Sequence, residues 1–178
     1  ISMVALAVLV SHSSTLWTAE SMQMNRIKSI VIGEKRARCV RAAAEDLKHH
    51  LEKILDTRID IQAEAGPAPA VFVGHGAARM AGVDPDALGL ASEECVIRTT
   101  EKGLVLFGND AQASASGFLT SGTYHAVSLF LEDYCGVTWL WPGESGEVIP
   151  RNANLSVPNL DVRRTPAFGK RQLDFYYS

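Results

Sequence analysis

The chain has 178 residues, of which 47% are hydrophobic and 21% charged, and its formal net charge is −3. This length accommodates one domain with a substantial core, and the composition excludes an intrinsically disordered protein. The absence of a basic excess argues against a nucleic-acid partner. No apolar run reaches the roughly 18 residues that a membrane-spanning helix needs, so no membrane span is predicted.

Residues 1–24 have the pattern of a leader. An apolar run over residues 3–10 precedes small polar residues, as in a signal-peptide core and its cleavage region, and cleavage after Ser13 or Ala19 is compatible with the pattern. A buried strand or the start of a helix is the alternative interpretation. We expect an exported protein, periplasmic or extracellular.

Residues 25–160 are expected to form one domain, and its first half alternates strand and helix patterns. Residues 27–32 are a short β-type run, and residues 34–55 repeat apolar side chains every three or four positions, which predicts a helix with one buried stripe. Strands are predicted over residues 58–62 and 70–73. A short helix and a loop are expected over residues 75–92.

The second half of this domain begins with a predicted hairpin, whose strands are residues 94–100 and 104–107 and whose turn needs a positive φ at Gly103. A loop of small polar residues is expected over 108–121. A second helix is predicted over 122–134, and an aromatic strand over 137–141. A turn at 142–146 leads to a returning strand at 147–149.

This element order predicts an α/β fold of the α+β type. Two amphipathic helices and a mixed β-sheet make a two-layer sandwich, in which both main helices pack on one face of the sheet.

No cofactor is predicted, because the dinucleotide motif is incomplete. Gly74, His75 and Gly76 follow a strand, but Arg79 occupies the place of the third glycine. A turn that ends the strand is the favoured interpretation.

No metal site is predicted either. The histidines, among them His49 and His50, show neither an HExxH motif nor an i, i+4 pair, so we expect surface or capping residues. The cysteines Cys39, Cys95 and Cys135 fit no zinc-binding spacing and are expected as small buried side chains.

Catalytic residues are likewise not predicted in this chain. No G-x-S-x-G elbow is present. The acids Glu132, Asp133, Glu144 and Glu147 are interpreted as surface groups, because their spacing does not hold two carboxylates across a sugar cleft.

Trp139 and Trp141 are two residues apart and so share one face of a strand. Such a pair either stacks on sugar rings or packs against another protein layer. The apolar neighbours Val137 and Leu140 favour packing, in the core or between domains.

Several segments, taken in order, carry a family resemblance. They are AAAEDL with LEKI over residues 42–54, VFVG over 71–74, a hairpin over 96–108, GTYHAV with FLEDY and GVTW over 122–139, and a P-x-F-x-x-R pattern over 166–171. Over roughly residues 27–174 the chain resembles the N-terminal α/β domain that precedes the TIM barrel of α-glucuronidases. It is also similar to the second domain of β-hexosaminidases and of related exported glycoside hydrolases.

The resemblance implies that residues 161–178 are a linker and the first strand of a TIM-barrel catalytic domain further along the same chain. The catalytic carboxylates of such enzymes lie on later barrel strands, which this sequence does not contain. By the same resemblance, Arg171 is a candidate substrate-binding residue, since a guanidinium donates paired hydrogen bonds to sugar hydroxyls.

The implied function is that of a non-catalytic accessory domain of an exported glycoside hydrolase. It would pack against the barrel and shape its sugar cleft, while the full-length protein would hydrolyse O-glycosyl bonds of a polysaccharide or glycan. The partners would be the C-terminal barrel and, through it, the carbohydrate. A self-standing carbohydrate-binding module and a protein-interaction domain are the alternatives.

Overall fold

The computed structural model describes residues 17–18, 21–34, 37–111 and 122–167. In chain order, its strands and helices are β1 (Trp17–Thr18), β2 (Ser21–Gln23), β3 (Ser29–Val31), α1 (Arg38–Leu55), β4 (Asp60–Gln62), β5 (Ala70–Val73), α2 (His75–Met80), β6 (Cys95–Thr100), β7 (Gly103–Gly108), α3 (Gly122–Asp133), β8 (Thr138–Trp139), β9 (Glu147–Val148), β10 (Ser156–Pro158) and β11 (Asp161–Arg164). Short 3-10 turns lie at Met24–Arg26, Asp86–Leu88 and Glu144–Gly146.

The main sheet has six strands in the order β11-β6-β7-β5-β3-β4. Strands β7, β5, β3 and β4 run parallel to one another, whereas β6 pairs antiparallel with both β7 and β11. The predicted mixed sheet is therefore confirmed. The parallel pair β3–β4 is connected by α1, as parallel neighbours require a long crossover connection.

Alternating side chains on the strands separate two apolar layers. On β5, Val71 and Val73 face the layer that contains α1 and α3, while Phe72 faces the opposite layer. On β7, Leu104 likewise faces the layer of α1 and α3, and Val105 faces the opposite layer. Because both main helices contribute to one continuous core on one sheet face, the predicted sandwich is confirmed.

The opposite face of the sheet is covered by the short helix α2. Ala77 and Ala78 pack there against Phe72 and Phe107, and small helix side chains allow the backbone to approach the sheet closely. The short helix expected within residues 75–92 is present, but its position on the second face of the sheet was not expected, since six residues are too few to show which side of a helix is buried.

Two small sheets complete the fold: β1-β2-β10, and the hairpin β8-β9. The β-sheets include residues beyond both expected boundaries of the domain, residues 25 and 160. Met22 and Met24 are fully buried although they lie inside the segment 1–24, and β11 adds an edge strand after residue 160. The remainder of the expected barrel strand, after Ala167, lies outside the described residues.

Among the described residues, no helix is both long and apolar enough to cross a membrane.

Candidate functional site

Arg171, the candidate substrate-binding residue, lies outside the described residues, as does most of the loop expected over 108–121. Within the described part of the chain, the predicted aromatic strand leads to the most distinctive surface. We call residues 138–148 the tryptophan hairpin.

The tryptophan hairpin is a short ladder closed by a glycine-dependent turn. Trp139 pairs with Glu147 across the two strands. The turn is fixed by hydrogen bonds from the Leu140 amide to the Gly146 carbonyl, 2.8 Å, and from the Gly146 amide to the Gly143 carbonyl, 2.9 Å. A Cβ at Gly146 would clash with the Trp141 carbonyl, so this position requires glycine.

The hairpin exposes a cluster of large apolar side chains. Trp139 is 38% exposed, Trp141 54%, Leu140 60% and Val148 51%. The expectation that the tryptophans lie in the core of this domain is therefore wrong, because the aromatic strand pairs only within its own hairpin and has no main-sheet layer over it. Packing against another domain stays a prediction. Contiguous exposed apolar side chains of this kind mark an interaction surface.

A buried polar cluster lies directly beneath the hairpin, on α1. His50 is fully buried, and its ring meets the Trp139 ring edge-on with the centroids 5.6 Å apart. Its Nδ1 lies 2.8 Å from the backbone carbonyl of Asp46, so Nδ1 carries the hydrogen and donates it. The interpretation of His50 as a surface residue is wrong, because it lies on the apolar stripe, three residues after Leu47 and four before Ile54.

Two carboxylates flank this imidazole. Asp46 Oδ1 lies 3.4 Å from Nδ1, and Glu147 Oε2 of the hairpin lies 3.9 Å from Nε2. Burial alone would disfavour the imidazolium, but the Asp46 hydrogen bonds and the nearby Glu147 charge outweigh it and raise the pKa of His50 above its ordinary 6.5. Glu147, expected on the surface, therefore has one oxygen buried against α1.

Asp46 links this cluster to the second main helix. The Tyr124 hydroxyl on α3 donates to Asp46 Oδ2 at 3.1 Å. Burial would raise the pKa of Asp46, but the hydrogen bonds from His50 and Tyr124 bring it below its ordinary 3.8. The carboxylate is thus held ionised, and burial together with this negative charge raises the pKa of Tyr124 to about 12. Three elements therefore meet through ionisable side chains.

A polar pocket of about 600 Å³ opens beside the cluster, between the second half of α1 and the tryptophan hairpin. Its lining combines four carboxylates with three basic side chains and one apolar one: Glu52, Asp56, Glu144, Glu147, His49, Lys53, Arg151 and Ile149. Such a surface can accept hydrogen bonds from hydroxyl or amine groups.

A second pocket, of about 390 Å³, lies between α3 and the end of the described chain. Cys95 is part of its wall, but burial and the neighbouring Glu94 charge raise the pKa of the Cys95 thiol to about 11. A thiol with this pKa is not a reactive nucleophile at neutral pH. The cysteines Cys39, Cys95 and Cys135 are all buried, as predicted, and no disulfide joins them.

The groups around His50 determine what its imidazole can do chemically. His50 is oriented by Asp46 in the manner of a general base, but its second nitrogen faces a carboxylate and no nucleophile. The part of the chain that the structure describes contains no cluster of His, Cys, Asp or Glu able to hold a metal ion. With a carboxylate near each ring nitrogen, His50 can hold a second proton and become positively charged.

The sequence pattern identified the hairpin but missed the cluster beneath it. His50 continues the apolar stripe of α1 at helical spacing, and this spacing alone could have predicted that His50 is buried. Its pairing with Glu147 and the pairing of Asp46 with Tyr124 join residues that are far apart in the sequence, and local patterns carry no information on such contacts.

No protein-family model matches this chain, and no curated protein matches it. Among solved structures, the chain is similar to a family GH115 4-O-methyl-α-glucuronidase with specificity for decorated arabinogalactans. The two align with a TM-score of 0.59 at 18% identity, over 83% of this chain and 18% of that enzyme. The likeness shows a shared fold, and the chain spans less than a fifth of the length of that enzyme.

Proposed function

We propose that this chain is a non-catalytic accessory domain of an exported glycoside hydrolase. In this proposal the tryptophan hairpin docks on the catalytic domain of the same protein and helps to shape its sugar cleft. One comparison supports it: the fold is shared with part of a much longer glucuronidase. Export remains part of the proposal, supported by the signal-peptide pattern of residues 3–10.

The observation that carries the docking role is the cluster of exposed apolar side chains on one hairpin. Trp141 is 54% exposed and Leu140 60%. Tryptophan is enriched where protein surfaces meet, because its large ring excludes water from a contact. Domain interfaces within one chain resemble such contacts.

The test begins with the coding sequence that follows Ser178. We expect it to encode a (β/α)-barrel with two carboxylates on its later strands, as glycoside hydrolysis requires. A stop codon at that point, or a coiled coil in place of the barrel, would refute the proposal.

The docking surface is then tested in the longer protein with Trp141→Ser. We expect the variant to expose the junction to limited proteolysis, because the lost ring opens the contact to water. Ala87→Ser, an exposed change near the sheet face covered by α2, is the matched control and should leave cleavage unchanged. Equal protection in both variants would show that the hairpin is not the docking surface.

A second candidate function is favoured by the same exposure. Trp139 and Trp141 are available to stack on sugar rings, and the adjoining pocket offers carboxylates that accept hydrogen bonds from hydroxyl groups. Isothermal titration of the 178-residue chain with neutral oligosaccharides separates the two. Saturable binding that Trp141→Ser abolishes would establish a carbohydrate-binding module.

A further inference from the structure

Two buried side-chain atoms beneath the tryptophan hairpin face each other without a hydrogen-bond partner. They are His50 Nε2 and Glu147 Oε2, which are 3.9 Å apart. Among the buried side-chain atoms of the described residues, these two stand alone in this respect. Buried polar atoms are almost always paired, so a protonation state in which these two atoms attract each other is expected.

The hydrogen bond at Nδ1 determines what His50 presents to Glu147. Because Nδ1 donates to the Asp46 carbonyl, a neutral His50 presents a lone pair at Nε2. Glu147, when ionised, also offers lone pairs only, so neutral His50 sets two acceptors against each other. An imidazolium removes the conflict, since its positive charge and the Glu147 carboxylate then form an ion pair across the 3.9 Å between Nε2 and Oε2.

We propose that a proton on His50 Nε2 fastens the tryptophan hairpin to α1, and that loss of this proton releases the hairpin. Release follows because the Glu147 carboxylate, no longer attracted to His50, gains hydration by moving outward with β9. The hairpin has its own two-stranded sheet and is not hydrogen-bonded into the main sheet, so it can move as a unit. A pH-controlled latch of this kind fits the titration range of histidine.

The carboxylates around His50 favour its protonated form. Asp46 faces it from its own helix and Glu147 from β9, and the Tyr124 hydroxyl of α3 reaches the cluster through Asp46. His49, also on α1, lies with its Nε2 3.7 Å from the same Glu147 oxygen. The ring of Trp139 on β8 covers it. The two carboxylates outweigh the burial of the ring and raise the pKa of His50 above 6.5.

The direction of the effect follows from that pKa. Because folding raises the pKa of His50, the latch contributes its full stability below pH 6.5 and loses it as the pH rises through the folded value. The hairpin is therefore fastened in mildly acidic solution and released in alkaline solution. That this would regulate docking rests on the proposed function, whereas the latch itself is a property of this chain.

The latch is tested on the unmodified 178-residue chain by NMR. The Cε1–H resonance of His50 is followed against pH, together with the hydrogen-exchange protection of the Leu140 and Gly146 amides in the hairpin turn. We expect a midpoint above 6.5, and severalfold lower hairpin protection above it than below it. Amides of β7 should keep their protection throughout. The proposal would be overturned by a His50 midpoint at or below 6.5. It would also be overturned if the hydrogen-exchange protection of the hairpin amides did not change as His50 titrates.

Glu147→Gln supplies the matched perturbation, since its amide can donate to neutral His50. We expect it to lower the His50 midpoint and to make hairpin protection independent of pH. Glu144→Gln removes one charge from the exposed turn of the same hairpin and should change neither. Equal effects of both substitutions would overturn the latch, because they would show that losing any negative charge from the hairpin has the same result. If Glu147→Gln does not fold, the titration of the parent chain decides, and neither measurement requires a docking partner.

Discussion

Glu94 joins three segments through one buried carboxylate. It accepts from Arg163 Nε at 2.5 Å and Nη2 at 2.8 Å, from the Ala91 amide at 2.7 Å, and from the Thr165 hydroxyl at 3.1 Å. These contacts hold the edge strand β11 and the chain after it against the start of β6. Paired Arg–carboxylate bonds also fix orientation, so Glu94 fixes the position of Arg163 and Thr165 relative to the start of β6.

The ionisation of Glu94 predicts a pH dependence of stability. The Arg163 hydrogen bonds, opposed by burial and aided by the Ala91 amide, lower the pKa of Glu94 from 4.5 to about 2. A lowered folded pKa gives stability that is fully present above pH 4.5 and is lost as the pH falls towards 2. We expect Glu94→Gln to lower the melting temperature at pH 7, and the difference from the parent to shrink between pH 4.5 and pH 3. Glu101→Gln, on an exposed turn, is the control, and a difference that does not change with pH would contradict the assignment.

The exposure of Trp141 predicts that its removal hardly affects stability. Exposed substitutions usually change the free energy of unfolding by about 0.5 kcal/mol or less. We therefore expect Trp141→Ala to have nearly the urea midpoint of the parent chain. Its Nε1–H bond to Ser145 Oγ is exposed and adds little. A loss of several kcal/mol would restore packing in the core, one of the two roles that the sequence left open.

At the scale of elements, the sequence predicted most of the fold. Strand β5 and the β6–β7 hairpin lie where their apolar patterns placed them, since buried runs bounded by glycine leave little choice of position. Helix α1 begins at Arg38, later than the expected residue 34. The N-cap residue, Ala37, has no side chain that accepts a hydrogen bond from the first helical amides. The sequence therefore contains no capping residue that marks where the helix starts.

The tryptophan hairpin shows where local patterns fail. The sequence predicts an aromatic strand over residues 137–141, but β8 contains only Thr138 and Trp139, and these two residues are exposed together with Leu140 and Trp141, which follow. Burial depends on which layer covers a strand, and this is decided by distant parts of the chain. The cluster of His50, Asp46 and Glu147 escaped prediction for the same reason.

The turn of the β6–β7 hairpin contains a glycine whose replacement should destabilise the domain. Gly103 has a φ of +138°, and a Cβ there would clash with the Ala70 carbonyl on the neighbouring strand β5. We expect Gly103→Ala to destabilise the domain by more than about 1 kcal/mol, since both the backbone and the sheet must shift. Gly66→Ala is the matched control, because nothing lies within 4 Å of its Cβ position and its φ is not positive. Urea unfolding of both variants measures the difference, and equal midpoints would contradict the close approach.

For the whole molecule, the sheet unites two apolar clusters. The larger one combines α1, α3 and one face of the strands, and the smaller one combines α2 with the other face. Since neighbouring residues of β5 and β7 belong to opposite clusters, neither layer can separate without disrupting the strands that the other needs. Cooperative unfolding of the sheet with its helices is the consequence.

This cooperativity can be tested with one phenylalanine from each cluster. Phe130 of α3 is fully buried in the larger cluster, and Phe72 of β5 is 1% exposed in the smaller one. We expect Phe130→Ala and Phe72→Ala each to cost about 3–5 kcal/mol, a large share of the 5–15 kcal/mol typical of a whole domain. In both variants the amides of α1 and of β7 should lose hydrogen-exchange protection by the same factor, because both report one global opening. If Phe72→Ala weakened β7 while α1 kept the protection of the parent chain, the two layers would be separate folding units and the shared-sheet argument would fail.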